Sequence, residues 1–455
     1  MTPKKSIPKK KISGVEASGF QAPKGMRDVL PQDQPWWEKI EKVVKDLAEF
    51  YNFQKIETPI LEQASLFQRT VGDDTDIVQK EMYSFKTKGG DFLALRPEGT
   101  AGIVRAYIEH GLGSIGQPQK LFYLGQFFRH ENPQAGRLRQ FHQAGFEIIG
   151  SVNDSIYDAQ VIMVFDRLLS ALKIKGVVLK INSIGCKICR PNYKRQLVNY
   201  YKRYERELCE SCQRRLKTNP LRLLDCKNET CVLFKEKAPN FFDKICANCG
   251  RHLRAVLGYL DEVKISYNLD NLLVRGLDYY NQTVFEFFAE GSKAGALSAG
   301  GRYDYLAELI GRKAVPAIGG AVGIERLFAV MKEQDVKLAA KTQKRVFLIH
   351  VGELAKKKSL NIIEELRESG ILVAEALGKE SVSAQLKVAN KQGNQLAVIF
   401  GQKEIFEGSV ILRDLRTGLQ EAVILDKMVP EIQKRFKERP VDPAPQLRQN
   451  RFQSR

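Results

Sequence analysis

The sequence predicts an α+β protein: a mainly antiparallel sheet split by a helical, cysteine-rich insertion, then a separate α/β domain. Three observations predict it. Strand-and-turn patterns lie on both sides of a central block. All eight cysteines fall inside that block, between Cys186 and Cys249. From Arg345 onward, short apolar strands alternate with helical patterns. A chain of 455 residues is also too long for a single core.

The elements follow in order. Residues 1–20 read as a disordered basic tail. Residues 21–185 form the first half of the core. There Pro35 opens a helix that carries Trp36, Trp37, Ile40, Val43, Val44, Leu47 and Phe50 at helical spacing. Lys55 to Leu61 reads as a strand, and its Pro59 belongs at an edge or an interface. Residues 92–96 are a short strand, and Pro97 to His110 begins a helix. Two strands, Leu121 to His130 and Arg139 to Ile149, flank the turn signal Asn132-Pro133-Gln134-Ala135-Gly136, which makes them an antiparallel hairpin. Residues 186–262 are the insertion. Residues 263–331 are the second half of the core, with strands at Leu272–Arg275 and Thr283–Phe288, then Gly300, Gly301 and a helix from Ile318 to Met331. Residues 332–343 read as a linker and 344–437 as the α/β domain. Residues 438–455 are a second disordered basic tail.

Composition narrows the function. The chain is 43% hydrophobic and 27% charged, as in globular proteins. It has no run of 18 apolar residues to span a membrane, and no secretory or transit signal opens it, so a cytoplasmic location is expected. The net charge of +19 is uneven. Residues 1–20 hold five Lys against one Glu, residues 431–455 seven cationic against three acidic side chains, and residues 186–262 seventeen against nine. Peripheral basic segments suit a polyanionic partner such as nucleic acid, although the tails alone could simply aid solubility.

Three constellations carry chemistry. The hairpin places Arg129, His130, Glu131, Arg137, Arg139 and His142 around one turn; arginine forks there could grip phosphate, but composition alone allows a solvated tip. The segment LVRGLDYYNQTVFEF (272–287) offers Arg275, Asp278, Tyr279 and Tyr280 near Gly276, either to read a polar ring or as an aromatic corner. Gly300-Gly301-Arg302-Tyr303-Asp304 and Gly323-Ile324-Glu325-Arg326-Leu327 let backbone approach a ligand, a weak signal by itself.

Together these segments resemble class II aminoacyl-tRNA synthetases, and specifically the histidine–tRNA ligases, over roughly residues 20–430. Motif 1 resembles the Pro35 helix with the Pro59 strand, motif 2 FFRHENPQAGRLRQFHQAGFE, and motif 3 GGAVGIERL. LVRGLDYYNQTVFEF and SAGGRYDYL resemble segments peculiar to the histidine enzymes. The resemblance implies a class II antiparallel catalytic core, an anticodon-binding C-terminal domain, and a homodimer built through motif 1. It implies ATP with Mg²⁺, L-histidine and histidine tRNA as ligands. By the same resemblance, Glu98, Thr100 and Gln143 hold the α-amino group of histidine, Gly99 belongs to the same histidine site, and Glu147 and Tyr280, with Tyr279 nearby, bind the imidazole. Arg129 grips the α-phosphate, Arg326 and Arg137 serve the ATP phosphates, and Glu131 belongs to the ATP site. Arg275 lies between the histidine carboxylate and the α-phosphate. Gln134 and Arg139 approach the 5′ end of the tRNA. Asn132 stands where the family often has Arg. The types suit the chemistry, because arginines offset two anions brought together, and a pocket that bonds both ring nitrogens rejects other amino acids by about 10⁴–10⁵-fold.

The insertion departs from much of the family. Cys186/Cys189, Cys209/Cys212, Cys226/Cys231 and Cys246/Cys249 could fill two Cys₄ zinc sites, the alternative being free buried thiols. A helix from Pro191 with Leu197, Tyr200, Tyr201, Tyr204 and Leu208 at helical spacing would be about 24 Å long and keep Cys189 from Cys209. The expected pairing is therefore interleaved: Cys226 and Cys231 with Cys186 and Cys189, and Cys246 and Cys249 with Cys209 and Cys212. His110, His252 and His350 read as packing or surface residues, and His130 and His142 as scaffold or ligand-adjacent. Two rivals remain. One is a silent regulatory subunit of ATP phosphoribosyltransferase, which usually lacks the C-terminal domain and has no need of Arg129, Arg275 and Arg326 together. The other, a zinc protein using the insertion alone, leaves the flanking motifs unexplained.

Overall fold

A computed structural model describes residues 20–438, apart from 73–74, 134–135, 151 and 339–343. Gln134, the tails 1–19 and 439–455 and residues 339–343 of the expected linker thus lie outside the described residues. The chain divides into two units, 1–338 and 339–455. No helix among the described residues is long and apolar enough to cross a membrane.

The first unit opens with α1 (Gln34–Phe50), β1 (Gln54–Lys55), β2 (Leu61–Gln63), α2 (Ala64–Val71), β3 (Ser84–Lys86), β4 (Phe92–Leu95), α3 (Thr100–Glu109) and α4 (Leu112–Ile115). The hairpin β5 (Gln119–Phe128) and β6 (Gln140–Ile149) follows, then α5 (Ile156–Ala171) and β7 (Val177–Ser183). The insertion contributes α6 (Arg190–Tyr201), α7 (Glu210–Thr218), α8 (Glu229–Lys235) and α9 (Ala247–Glu262). The chain then rejoins the same sheet through β8 (Asn268–Leu269), β9 (Asn281–Ala289), β10 (Ser298–Arg302), α10 (Leu306–Leu309), β11 (Ala317–Gly323) and α11 (Ile324–Glu333). The eight strands run β1-β5-β6-β11-β10-β9-β7-β8, antiparallel except at the β1–β5 and β7–β8 edges. β2, β4 and β3 form a separate small sheet.

Strand alternation gives the large sheet two faces. Phe146 and Ile148 of β6, with Phe285 and Phe287 of β9, pack against Ile40, Val44, Phe165, Val256 and Leu327 from α1, α5, α9 and α11. Glu147, between Phe146 and Ile148 in sequence, therefore points to the other face, where Tyr123, Tyr279, Tyr280 and Tyr303 gather. A buried ion network pins the strands to the helices. Arg302 of β10 pairs with Asp158 of α5 and with Asp304 (3.0 Å), and His252 of α9 lies 3.1 Å from Asp158. Burial alone would raise the Asp158 carboxyl, but Arg302 and His252 outweigh it and hold the pKa down at about 2.

The second unit contains β12 (Arg345–Val351), α12 (Glu353–Glu368), β13 (Leu372–Glu375), α13 (Val382–Lys391), β14 (Leu396–Gly401), α14 (Gln402–Glu407), β15 (Ser409–Asp414), β16 (Gln420–Ile424) and α15 (Met428–Glu438). Its sheet runs β13-β12-β14-β15-β16, parallel through the first three strands and antiparallel after them. Ile362, Met428 and Ile432 cover one face and Ala389 the other.

Three local expectations are corrected. The strand expected over Lys55–Leu61 is two short strands, 54–55 and 61–63, because Pro59 has no N–H for a ladder. Leu272–Arg275 is not a strand: Asp270 accepts from the backbone of Leu272 and Leu273 and bends the chain there. The segment from Ile318 is a strand to Gly323 and a helix only from Ile324, since Gly319, Gly320 and Gly323 weaken a helix and pair with β6.

Candidate active site and cysteine clusters

The site starts from one carboxyl. Glu147 is fully buried on β6, opposite Gly319 of β11. A Cβ at Gly319 would overlap a Glu147 carboxylate oxygen, so a side chain on this register partner would evict it. Thr100 Oγ1 donates to Glu147 at 2.9 Å and Tyr303 Oη at 2.6 Å. Burial, countered by these two hydrogen bonds, pushes the Glu147 pKa up to about 8. Glu98 caps α3, accepting from the backbone N–H of Thr100 (2.7 Å) and Ala101 (2.9 Å), and Tyr279 Oη reaches it at 3.3 Å. Tyr279 lies 4.6 Å from Tyr280 and 5.9 Å from Tyr303, centroid to centroid. Burial raises all three phenols, which therefore stay neutral donors.

Cations line the neighbouring wall. Arg275 pairs with Glu286 of β9, and its guanidinium lies 5.4 Å from the Tyr280 ring. Arg129 donates to the Pro97 carbonyl at 2.8 Å and lies 5.3 Å from the Phe141 ring. Arg137 meets Glu131 at 3.2 Å. Arg326 of α11 donates to the Gly136 carbonyl at 2.9 Å and to Ala296 O at 2.5 Å. Burial first, then the neighbouring Arg137 and Arg129, pushes Arg326 below its ordinary value, while Glu131 and Glu286 act against them. Such a cluster suits a polyphosphate.

The structure thus brings together Glu98, Thr100, Glu147, Tyr279 and Tyr280, and beside them Arg129, Glu131, Arg137, Arg275 and Arg326. Gly99 caps α3. Gln143 lies on β6 opposite Gly125 and Gly323. The Arg139 guanidinium is turned to the Glu131 carbonyl (3.2 Å). His142 is scaffold: its backbone N–H and Nδ1 bond Glu325 at 2.9–3.0 Å, and its ring stacks edge-on to Trp37. Sequence reasoning assigned no role to Tyr303, Glu325, Glu286 or Gly319. Tyr303, Glu325 and Gly319 act through partners far away in the chain, and Glu286 through Arg275, 11 residues back; a residue type alone does not reveal that.

The cysteines form two clusters, each with sulfurs within 4.8 Å of one another: Cys186, Cys189, Cys246 and Cys249, and Cys209, Cys212, Cys226 and Cys231. The interleaved pairing is therefore corrected. Helical structure over 190–201 and 202–207 does keep Cys189 from Cys209. But α7 is short, and the 3-10 turn Pro220–Leu223 folds back beside it, so Cys226 and Cys231 never leave Cys209 and Cys212. The return leg comes later. Phe234 stacks on Tyr204 (4.5 Å) and its carbonyl accepts from Tyr200 Oη, while Tyr193 bonds Pro239 O (2.9 Å) and packs on Phe241 (4.1 Å). This segment runs back along α6 and delivers Cys246 beside Cys186.

Comparison with known proteins agrees with this geometry. Residues 25–327 match the family described as histidyl-tRNA synthetase and residues 345–435 the anticodon binding domain. A histidine–tRNA ligase of Halothermothrix orenii is 45% identical over 416 residues, covering 91% of this chain and 99% of the relative. One from Dehalococcoides mccartyi is 43% identical, covering 92% and 100%. The crystal structure of apo histidyl-tRNA synthetase from S. aureus superimposes with a TM-score of 0.76 at 32% identity, covering 91% of this chain and all of that one.

The buried carboxyl gives a pH signature. A folded pKa of about 8 against an ordinary 4.5 means that the folded chain holds a proton the unfolded chain has lost. Glu147 therefore costs stability as pH rises from 4.5 toward 8, and the cost levels off above. Urea unfolding at pH 5.5 and 8.5 should show the wild type losing more stability than Glu147→Gln over that interval. Equal losses would contradict the buried, protonated carboxyl.

Proposed function

The chain belongs to the histidyl-tRNA synthetase family, and on that footing we propose how its own residues perform the reaction. The reaction is that of a class II ligase: L-histidine and ATP give histidyl-adenylate and pyrophosphate, and histidine then passes to the 3′ end of histidine tRNA. The observation that carries the residue assignment is the buried Glu147–Tyr303–Thr100 cluster beside the arginine wall.

In this reading Glu147 and Tyr280, with Tyr279, bind the imidazole, and Glu98, Gly99, Thr100 and Gln143 hold the α-amino group. The histidine carboxylate attacks the α-phosphorus in line, and the bond to the β-phosphate oxygen breaks. Arg129 holds the α-phosphate. Arg275 neutralises the carboxylate and α-phosphate as their charges meet, and Glu286 fixes its guanidinium. Arg326 and Arg137 take the β- and γ-phosphates, with Glu131 orienting Arg137. Mg²⁺ accompanies ATP and shares its phosphate charge. Gln134 and Arg139 are assigned to the tRNA 5′ end, and residues 344–437 to the anticodon.

Each cysteine cluster fits one zinc ion. Neighbouring sulfurs lie 3.9 Å apart, and a tetrahedral ZnS₄ centre with bonds of about 2.3 Å needs about 3.8 Å. Two structural zincs would tie together short helices that have little core of their own. The homodimer is supported by the small sheet β2-β4-β3, where Leu61 and Phe85, on the same face by register, stay more than 40% exposed. A cytoplasmic location suits eight unpaired thiols.

Histidine-dependent ATP–pyrophosphate exchange should proceed without tRNA. Arg275→Ala should lower kcat on the order of 10²-fold with little change in histidine KM, because it acts on charge that develops in the transition state. An unchanged kcat with a raised KM would refute that role.

Metal analysis should give two zincs per chain. Cys209→Ser with Cys212→Ser should leave one. Adding Cys226→Ser and Cys231→Ser should remove none, whereas adding Cys246→Ser and Cys249→Ser should remove the second. Loss of the second zinc on mutating Cys226 and Cys231 would contradict the pairing.

A further inference from the structure

The first cysteine cluster shares a joint with the turn that carries the tyrosine pair and the start of β9 that follows it. Arg190 follows Cys189 and opens α6, but its side chain turns back into the core. Its guanidinium donates to the Tyr280 carbonyl, to Ile184 O (3.1 Å) and to Gly185 O (3.4 Å). Gln282, two residues past Tyr280, exchanges backbone hydrogen bonds with the same stretch: its N–H donates to Gly185 O (2.9 Å), and its carbonyl accepts from Ile184 N–H (2.8 Å). Its Nε2 lies 3.9 Å from Cys249 Sγ. Gln282 has φ +49°, a left-handed conformation that a side chain with a Cβ keeps only where its surroundings over-determine it. Those surroundings are Ile184, Gly185 and Cys249, all within or beside the cluster. The second cluster reaches this segment by a side-chain contact one residue before the tyrosine pair: Asn219, between Cys212 and Cys226, donates to the Asp278 carboxylate (2.6 Å), while Arg215 bonds Asp76 (2.7 Å).

We propose that Arg190 and Gln282 are positioning residues that couple the Cys186–Cys189–Cys246–Cys249 cluster to Tyr279 and Tyr280, so that an assembled cluster is a condition for tight histidine binding. This rests on the reading of the two tyrosines as the histidine pocket. The half-buried guanidinium bonds three carbonyls at once, and its removal leaves those of Ile184 and Tyr280 without this donor and the Tyr280 backbone free to shift. Neither residue meets charge that develops in the reaction. Their loss therefore weakens ground-state and transition-state binding alike, and KM changes while kcat does not.

The test combines calorimetric histidine binding, metal analysis and exchange kinetics on the full-length protein. Arg190→Ala should keep both metals and raise the histidine Kd and KM about 10-fold, the scale of a lost charged hydrogen bond, with kcat within about 2-fold. Arg190→Lys should recover part of the affinity, and Arg195→Ala, on the exposed side of α6, should leave it unchanged. Cys246→Ser with Cys249→Ser should lose one metal and raise Kd by a similar factor, and combining it with Arg190→Ala should add little further. Cys209→Ser with Cys212→Ser should lose the other metal and shift Kd by a clearly smaller factor, since that cluster bonds the Asp278 side chain and not the backbone of Tyr280 or Gln282. Wild-type affinity in Arg190→Ala, or equal weakening by both cysteine pairs, would overturn the coupling. A wild type that does not exchange with histidine would overturn the ligase reading, and this inference with it.

Discussion

A carboxyl group buried on the polar face of an apolar sheet is the constraint on which the rest of the first unit depends. Glu147 has room only because Gly319 stands opposite it, and it is tolerable only because Thr100 and Tyr303 satisfy its oxygens. Those needs fix three other elements. Thr100 must stand at the start of α3, which Glu98 caps. Tyr303 must leave the end of β10, which Arg302 clamps to Asp158. β11 must be glycine-rich where it crosses β6. The helices on the opposite face supply the apolar burial that holds this arrangement rigid.

The same logic separates the two polar systems of the core. The Arg302–Asp158–Asp304–His252 network is closed: each charge has a partner, and the Asp158 pKa is held low. At the hairpin Arg129 and Arg137 share the single carboxylate of Glu131, and Arg326, pushed down mainly by burial and then by these neighbours, bonds backbone carbonyls. A closed network fastens elements together, whereas an open one is ready for an anion that the chain does not supply. The insertion adds a third device. Its helices bring eight thiols into two tetrahedral-sized clusters, one of them bonded to the strand that follows the tyrosine pair.

Much of this was legible in the sequence. The hairpin around Asn132–Gly136, the Pro35 helix and the alternation after Arg345 follow from local pattern, and the structure has all three. Glu147, Tyr279, Tyr280 and the arginines followed from resemblance to a family, since residue types alone allowed a solvated tip or an aromatic corner. What stayed hidden depends on pairing across the chain. Tyr303 matters through Glu147, 156 residues away, and Glu325 through His142, 183 away. The cysteine pairing failed for a similar reason. Helix length excluded one partner, but it was Tyr193, Tyr200 and Tyr204 packing on residues 234–241 that decided which cysteines return together.

The central claim is that the Glu147 carboxyl, kept in place by Gly319, reads the histidine ring. Calorimetric titration of histidine into the wild type and Glu147→Gln tests it most directly, with circular dichroism confirming an unchanged fold. Leaving a buried polar partner mismatched against the ring should weaken histidine binding on the order of 10²-fold while ATP binding stays the same. Histidine bound by Glu147→Gln within about 2-fold of the wild type would contradict the account.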